Sequence, residues 1–139
     1  TTMNRSPEVL QYHDSTFIHF LNAEEATSFL SMTERLENEN YLVFDAQIDT
    51  MTTANFCSEL CRALSVQSYE AWGAVVDYLI DAAGSRNGFI LIVRYSTEQS
   101  VQLAQEIISV ASICSHEWWH RRKPFHLVFV RGDVGGILR

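Results

Sequence analysis

Residues 116–120 read HEWWH, a spacing in which two histidines and a glutamate can carry out zinc chemistry. On a helix, His116 and His120 lie one turn apart on the same face, where both imidazoles can bind one metal ion. Glu117 then takes the place of the general base of a zinc hydrolase, and His126 stands where a third histidine ligand would follow. A small zinc hydrolase is therefore one hypothesis for this chain.

Other features of the same segment argue against a catalytic zinc site. Lys123 occupies the position of the glycine that the extended zinc-protease pattern uses for a sharp turn. All three methionines precede the motif, so no methionine-containing turn can follow it. Three consecutive cations, Arg121, Arg122 and Lys123, would also stand beside the metal. The residues therefore favour a helix end without metal, and we expect no cofactor.

A second candidate for function is the segment 68–83, whose apolar spacing predicts an amphipathic helix. The side chains predicted to face the core are Trp72, Val75, Val76, Leu79 and Ala83. Glu70, Asp77 and Asp81 fall on the opposite face with Ala74, where like charges one turn apart repel each other. Such an acidic stripe is either a solvated surface or a docking surface for a cationic partner, and the stripe alone does not distinguish the two.

The composition limits the class of protein. With 139 residues, of which 47% are apolar, the chain is long enough for one domain with a substantial core. Its net charge of −7 argues against a direct nucleic-acid partner, because phosphates are bound by cationic surfaces. No apolar run reaches the length of a membrane span and no signal peptide is recognisable, so we expect a cytoplasmic protein that does not bind membranes. Cys57, Cys61 and Cys114 are predicted to be small buried thiols.

Alternating strands and helices must position these residues. Apolar runs predict strands over 17–21, 41–44, 89–93 and 126–130, with a loop over 45–52. Helices are predicted over 23–37, 53–64, 68–83 and 101–119, with Gly84 as the left-handed residue that ends the third. This order predicts an α/β fold, a mainly parallel sheet of about four strands with helices packed on it. We expect a single domain over residues 1–139, with residues 1–15 as a flexible tail.

Three stretches of the chain resemble the barstar family, the small cytoplasmic inhibitors of bacterial ribonucleases. YLVFDAQIDTMTTANFCSELCRAL is similar to the strand, loop and helix that open the family's fold. SYEAWGAVVDYL is similar to the family's N-W-D-A-L-x-D-x-L pattern, and EWWHRRKPFHLVFV to its E-W-x-x-R-G-x-P-F-x-V-L ending, while GFILIV fits the central strand. The resemblance covers residues 41–130, and the strand and helix before it match longer bacterial members. It also gives HEWWH an ordinary role, as the end of the last helix.

The resemblance implies an inhibitor that blocks a nuclease active site with an acidic helix. Asp77 matches the aspartate that, in the family, plugs the ribonuclease active site in place of a substrate phosphate. Glu117 matches a glutamate of the last helix that also contacts the enzyme. Trp72 matches a core-side aromatic residue, and Tyr69 stands near an aromatic residue that contacts the enzyme.

Two positions depart from the family's pattern. Gly73 replaces the first aspartate of the motif, and Val76 stands where an interface tryptophan is common. Glu70 and Asp81 supply charge nearby instead, so we expect a different target surface. The partner implied is a cognate basic nuclease toxin domain. A protein-interaction module that inhibits no nuclease and the zinc hydrolase remain the alternatives.

Overall fold

The computed structural model describes residues 7–12, 17–96 and 100–132. Within these residues, strands and helices follow one another in the predicted order. The strands are β1 (Ile18–Leu21), β2 (Tyr41–Gln47), β3 (Gly88–Tyr95) and β4 (Phe125–Arg131). The helices are α1 (Ala23–Asn38), α2 (Thr53–Ala63), α3 (Trp72–Asp81) and α4 (Val101–His120), and two short 3₁₀ turns cover Pro7–Gln11 and Ala82–Gly84.

The four strands form one parallel sheet in the order β1-β4-β3-β2. This confirms the prediction of an α/β fold with a parallel four-stranded sheet. The connection from β1 to β2 crosses the whole sheet in one direction, whereas the later connections return strand by strand. Because crossovers between parallel strands are right-handed, α1 lies on one face of the sheet and α2, α3 and α4 lie on the other.

Successive side chains along each strand therefore point to opposite faces of the sheet and contribute to two separate hydrophobic cores. On β4, Leu127 and Phe129 point toward α2, α3 and α4, whereas Val128 and Val130 point toward α1. Trp118 of α4 is completely buried in the first of these cores. The three cysteines are buried and free, which confirms the prediction of small buried thiols. No helix in the described part of the chain is long and apolar enough to cross a membrane.

The segment before β1 differs from the predicted flexible tail. Pro7–Gln11 forms a 3₁₀ turn, and the Leu10 side chain is completely buried in the core beside α1. Nε2 of His126 donates a hydrogen bond to the Tyr12 carbonyl at 2.6 Å, which ties this segment to β4. His126 also contacts His19 of β1, with 2.9 Å between Nδ1 and Nε2. The tail predicted at residues 1–6 and 13–15 lies outside the described residues.

Several elements differ in length from their predictions, most clearly β2 and α3. β2 continues through Gln47, whereas the sequence predicts a loop from residue 45. The backbone of residues 45–47 pairs with residues 92–94 of β3, and the Asp45 carboxylate accepts two hydrogen bonds from the Arg94 side chain, each 2.8 Å long. α3 begins at Trp72 instead of residue 68, because Ala71 is extended, with φ −139° and ψ 157°.

The helix ends also depart from the predicted glycine stop. Gly84 does not have a positive φ, so the prediction that it is the left-handed residue after α3 is wrong. Asn40, Ser65 and Arg122 have the left-handed conformation after α1, α2 and α4. After α2, the amides of Ser65 and Val66 donate to the carbonyls of Arg62 and Cys61, at 3.0 and 3.1 Å. These two bonds form a Schellman motif without glycine.

Candidate functional site

α3 is fastened to α4 near both of its ends. Near its start, Nε1 of Trp72 donates a hydrogen bond to Oε1 of Glu106, 3.0 Å away. Near its end, Nε1 of Trp118 donates to the Leu79 carbonyl at 2.9 Å. Lys123, just after α4, donates from Nζ to the Ala83 carbonyl at 2.6 Å. These hydrogen bonds fix the position of α3 relative to α4, and with it the position of the side chains that α3 exposes to solvent.

Glu106 connects three helices, a role that no sequence motif indicates. Its Oε1 accepts the bond from Trp72 of α3 and a second bond, 2.7 Å long, from the Thr53 hydroxyl of α2. These hydrogen bonds, Trp72 first, lower the pKa of Glu106, and partial burial opposes them. By helical periodicity, a glutamate between Leu103 and Ile107 is expected to face solvent. Neither hydrogen-bond donor is near Glu106 in sequence, so no local pattern indicates these contacts.

Three acidic side chains around α3 are exposed to solvent, and we call Glu70, Asp77 and Asp81 the acidic surface. Asp77 and Asp81 lie one turn apart on α3, whereas Glu70 comes from the extended segment before the helix. The ion pairs in the described part of the chain are Arg35–Glu39, Arg62–Glu59 and Arg94–Asp45. None of them includes the acidic surface, so its carboxylates are not neutralised by a direct ion pair within the described chain.

The other predicted partner-binding residues divide into one exposed and three half-buried positions. Gly73 is exposed, and a Cβ at this position would have no atom within 4 Å. Tyr69, Trp72 and Glu117 are half-buried. Trp72 packs against the ring of Phe56 at 5.7 Å between centroids, in addition to its bond with Glu106. Trp72 therefore holds α3 against α2 and α4 through its contacts with Phe56 and Glu106. Gly73 has no side chain, so the surface one turn before Asp77 is bare backbone.

Tyr69 belongs to an aromatic pair at the base of the acidic surface. Its ring lies 5.9 Å from the ring of Tyr78, measured between centroids. The hydrogen bond with Tyr69 is the largest of the effects that raise the pKa of Tyr78. Tyr78 also lines a small cleft of about 260 Å³, whose other lining residues include Val66, Asp81 and Arg86. The cleft places one arginine near the acidic surface, so the surroundings of Asp81 are not uniformly negative.

The three histidines of the zinc hypothesis do not come together. His116 and His120 lie on the exposed side of α4, with 3.1 Å between their Nε2 atoms. His126 is completely buried in β4, on the α1 side of the sheet, where it contacts His19. The sheet separates His126 from α4, so the three histidines of this alternative cannot bind one metal ion together. Among the described residues, no group of three or more histidine, cysteine or acidic side chains is arranged to hold a metal ion.

A second concave region, which no sequence motif indicates, lies between β1 and the first half of α4. Its volume is about 340 Å³. It is lined by Phe20, Tyr95, Ser96, Ser100, Val101, Ala104, Ile108, Phe129 and Arg131. The Phe20 ring stacks on Phe129 at 5.1 Å between centroids but remains 59% exposed. Phe20 and Phe129 come from neighbouring strands, and Val101, Ala104 and Ile108 from the first half of α4 complete the apolar lining.

The acidic surface can therefore offer carboxylates to a cationic partner from a rigid helix. No protein-family model, curated protein or solved structure matches this chain.

Proposed function

We propose that this chain is a barstar-like inhibitor, which binds a basic nuclease toxin domain in the cytoplasm through the acidic surface of α3. In this proposal, Asp77 enters the nuclease active site and occupies the position of a substrate phosphate. Active sites that bind phosphate hold lysine, arginine and histidine side chains in place. A carboxylate on a rigid helix can accept the same hydrogen bonds, and the substrate is then excluded.

The observation that carries the proposal is the exposure of Asp77 and Asp81 without an ion pair in the described chain. Both carboxylates stand where they lower the stability of the helix. Like charges one turn apart repel, and a carboxylate on the last residue of a helix faces the negative end of the helix dipole. Each effect costs about a few tenths of a kcal/mol. Residues that reduce stability at an exposed surface support a role in binding.

The anchoring of α3 supports the same proposal. An interface gains affinity when its contact residues are already ordered before binding, because less conformational entropy is lost. Trp72 and Trp118 fasten opposite ends of α3 to α4, so its two aspartates change little on binding. The net charge of −7 adds a long-range attraction to a basic domain, which accelerates association at low salt.

The test compares two substitutions that remove the same charge. Basic nuclease domains are screened for binding to the full chain, and inhibition of the cleavage activity of a domain that binds is measured with wild type, Asp77→Asn and Glu34→Gln. Glu34 is exposed on α1, which packs on the opposite face of the sheet. We expect Asp77→Asn to weaken inhibition at least tenfold, because the phosphate-binding cations lose their partner. Glu34→Gln should change inhibition less than twofold.

The outcomes separate the proposal from its alternative. Equal inhibition constants for Asp77→Asn and wild type, with wild-type stability, would refute the role of Asp77. Tight binding without any loss of cleavage activity would instead support the non-inhibitory interaction module. Asp81→Asn gives an independent check, because we expect it to stabilise the free chain slightly while it weakens binding.

A further inference from the structure

The outward face of α4 carries two imidazoles directed at each other. His116 and His120 are both exposed, with Nε2 atoms 3.1 Å apart and ring centroids 4.6 Å apart. Their rings are nearly perpendicular, at 85°. Each Nε2 without a proton carries a lone pair in the plane of its ring. The same two lone pairs can converge on a metal ion if the separation fits a metal–ligand geometry.

The separation fits that geometry. Histidine nitrogens bind zinc at about 2.0–2.1 Å. Two nitrogens 3.1 Å apart then subtend an angle of about 95–102° at a shared ion. This value lies between the angles of about 90° and about 109° that square-planar and tetrahedral sites require. The separation of the two nitrogens is therefore compatible with bidentate binding of a divalent ion that favours imidazole, such as Zn²⁺ or Cu²⁺.

Half of the coordination sphere remains open. The described part of the chain supplies no third histidine, cysteine or carboxylate to this pair. Glu117 follows His116 directly, but adjacent residues point in directions about 100° apart on a helix. The described residues thus leave two positions of a four-coordinate ion to water or to another molecule.

The rest of the outward face of α4 indicates a second copy of the chain. No exposed residue of α4 is an aspartate, glutamate, lysine or arginine; the exposed residues are Val101, Gln102, Gln105, Ser109, Ser112, Ile113, His116, Trp119 and His120. The chain as a whole has 27 charged residues, so a 20-residue helix with an uncharged outward face is unusual here. Ile113 and Trp119 are 54% and 51% exposed. Depletion of charge together with exposed aromatic and aliphatic side chains is typical of interface centres.

We propose that the outward face of α4 is a metal-dependent self-association surface. His116 and His120 provide two nitrogens to a divalent metal ion, and the same pair from a second copy provides the other two. A twofold axis through the metal relates the copies, so each half-site completes the other. This surface contains no residue of the acidic surface of α3, and its test is independent of the proposed inhibitory function.

The test is sedimentation velocity of the full chain, free of any histidine tag, with Zn²⁺ and with EDTA. Zinc is the probe because it has no redox chemistry, and the protein contains three cysteines. We expect monomers in EDTA, and with zinc a dimer that retains one zinc for every two chains. His116→Gln and His120→Gln should each weaken the zinc-dependent dimer at least tenfold.

A rescue variant distinguishes chelation from a general effect of substitution. Ser112 is exposed one turn before His116 on the same face. Ser112→His combined with His120→Gln rebuilds a pair at the same spacing and should restore zinc-dependent dimerisation, whereas Ser112→Gln with His120→Gln should not. A chain that stays monomeric with zinc, a dimer that survives His120→Gln, or one zinc per monomer would each overturn the proposal.

Discussion

Trp118 donates a hydrogen bond from its indole nitrogen to the carbonyl of Leu79, 2.9 Å away, and so joins the main core to the helix that carries the acidic surface. The Trp118 side chain is completely buried, with the rings of Phe89 and Phe125 at 5.9 Å between centroids. The Trp118 side chain thus packs in the core and also binds α3 through the Leu79 carbonyl. The position of Asp77 consequently depends on core packing, even though Asp77 itself is exposed.

We expect Trp118→Phe to lower the free energy of unfolding by about 2–4 kcal/mol. The smaller ring leaves a cavity, and the Leu79 carbonyl loses its indole donor. Urea unfolding followed by circular dichroism measures the change. Trp119→Phe is the matched control, because Trp119 is the next residue and is 51% exposed. It should change stability by less than about 0.5 kcal/mol, and equal losses for the two variants would contradict this account.

The carboxylate of Glu106 should give stability a specific pH dependence. Hydrogen bonds from Trp72 and then Thr53 lower its pKa in the folded chain below the ordinary value of 4.5. The unfolded chain therefore binds a proton at higher pH than the folded chain does. The stability contributed by Glu106 is fully present above pH 4.5 and is lost as the pH falls through the folded pKa.

Glu106→Gln removes that contribution while it keeps an oxygen that can accept both hydrogen bonds. We expect the difference in free energy of unfolding between wild type and Glu106→Gln to be larger at pH 6 than at pH 3.5. Urea unfolding at both pH values measures this difference. Glu34→Gln serves as a control for the loss of one exposed carboxylate elsewhere. A difference for Glu106→Gln that is the same at both pH values would show that the charge of Glu106 does not stabilise the junction of the three helices.

The turn before β1 should contribute to global stability. Leu10 is completely buried beside α1, whereas the ring of Tyr12 is 65% exposed. We expect Leu10→Ala to cost about 2–4 kcal/mol, since it creates a cavity, and Tyr12→Ala to cost less than about 0.5 kcal/mol. The Tyr12 carbonyl that binds His126 remains in Tyr12→Ala. If Leu10→Ala unfolds at the same urea concentration as wild type, the segment contributes no stability to the fold.

The order of the elements could be predicted because local patterns determine it. Continuous apolar runs such as residues 89–93 are typical of strands covered on both faces, and β3 is buried in this way. The polar end of β2 was missed because its stabilising contact, Asp45 with Arg94, joins residues 49 positions apart. The burial of Leu10 was missed for the same reason, since its partners on α1 and the sheet are distant in sequence.

The candidate site was predictable to a different extent for each residue. Helical periodicity placed Asp77 and Asp81 on the exposed side of α3, where the structure has them. The same periodicity assigned Glu70 to the helix, although Ala71 is extended and ends the helical geometry before it. His126 followed the spacing of a metal motif, but the alternation of β4 directs it to the opposite face of the sheet. Spacing along the chain carries no information on which face of a later strand a residue occupies.

The left-handed ends of the helices provide the last prediction. Ser65 has φ 60° after α2, a conformation that costs a residue with a Cβ about 1–2 kcal/mol and costs glycine far less. Gly84 is not left-handed, and a Cβ at this position would meet only the flexible Arg121 side chain, at 3.4 Å. We expect Ser65→Gly to raise the free energy of unfolding by about 0.5–1 kcal/mol, and Gly84→Ala to leave it unchanged or raise it slightly. Urea unfolding of both variants measures these changes. If Gly84→Ala destabilises the chain by about 1 kcal/mol and Ser65→Gly does not stabilise it, the left-handed residue is at Gly84 instead.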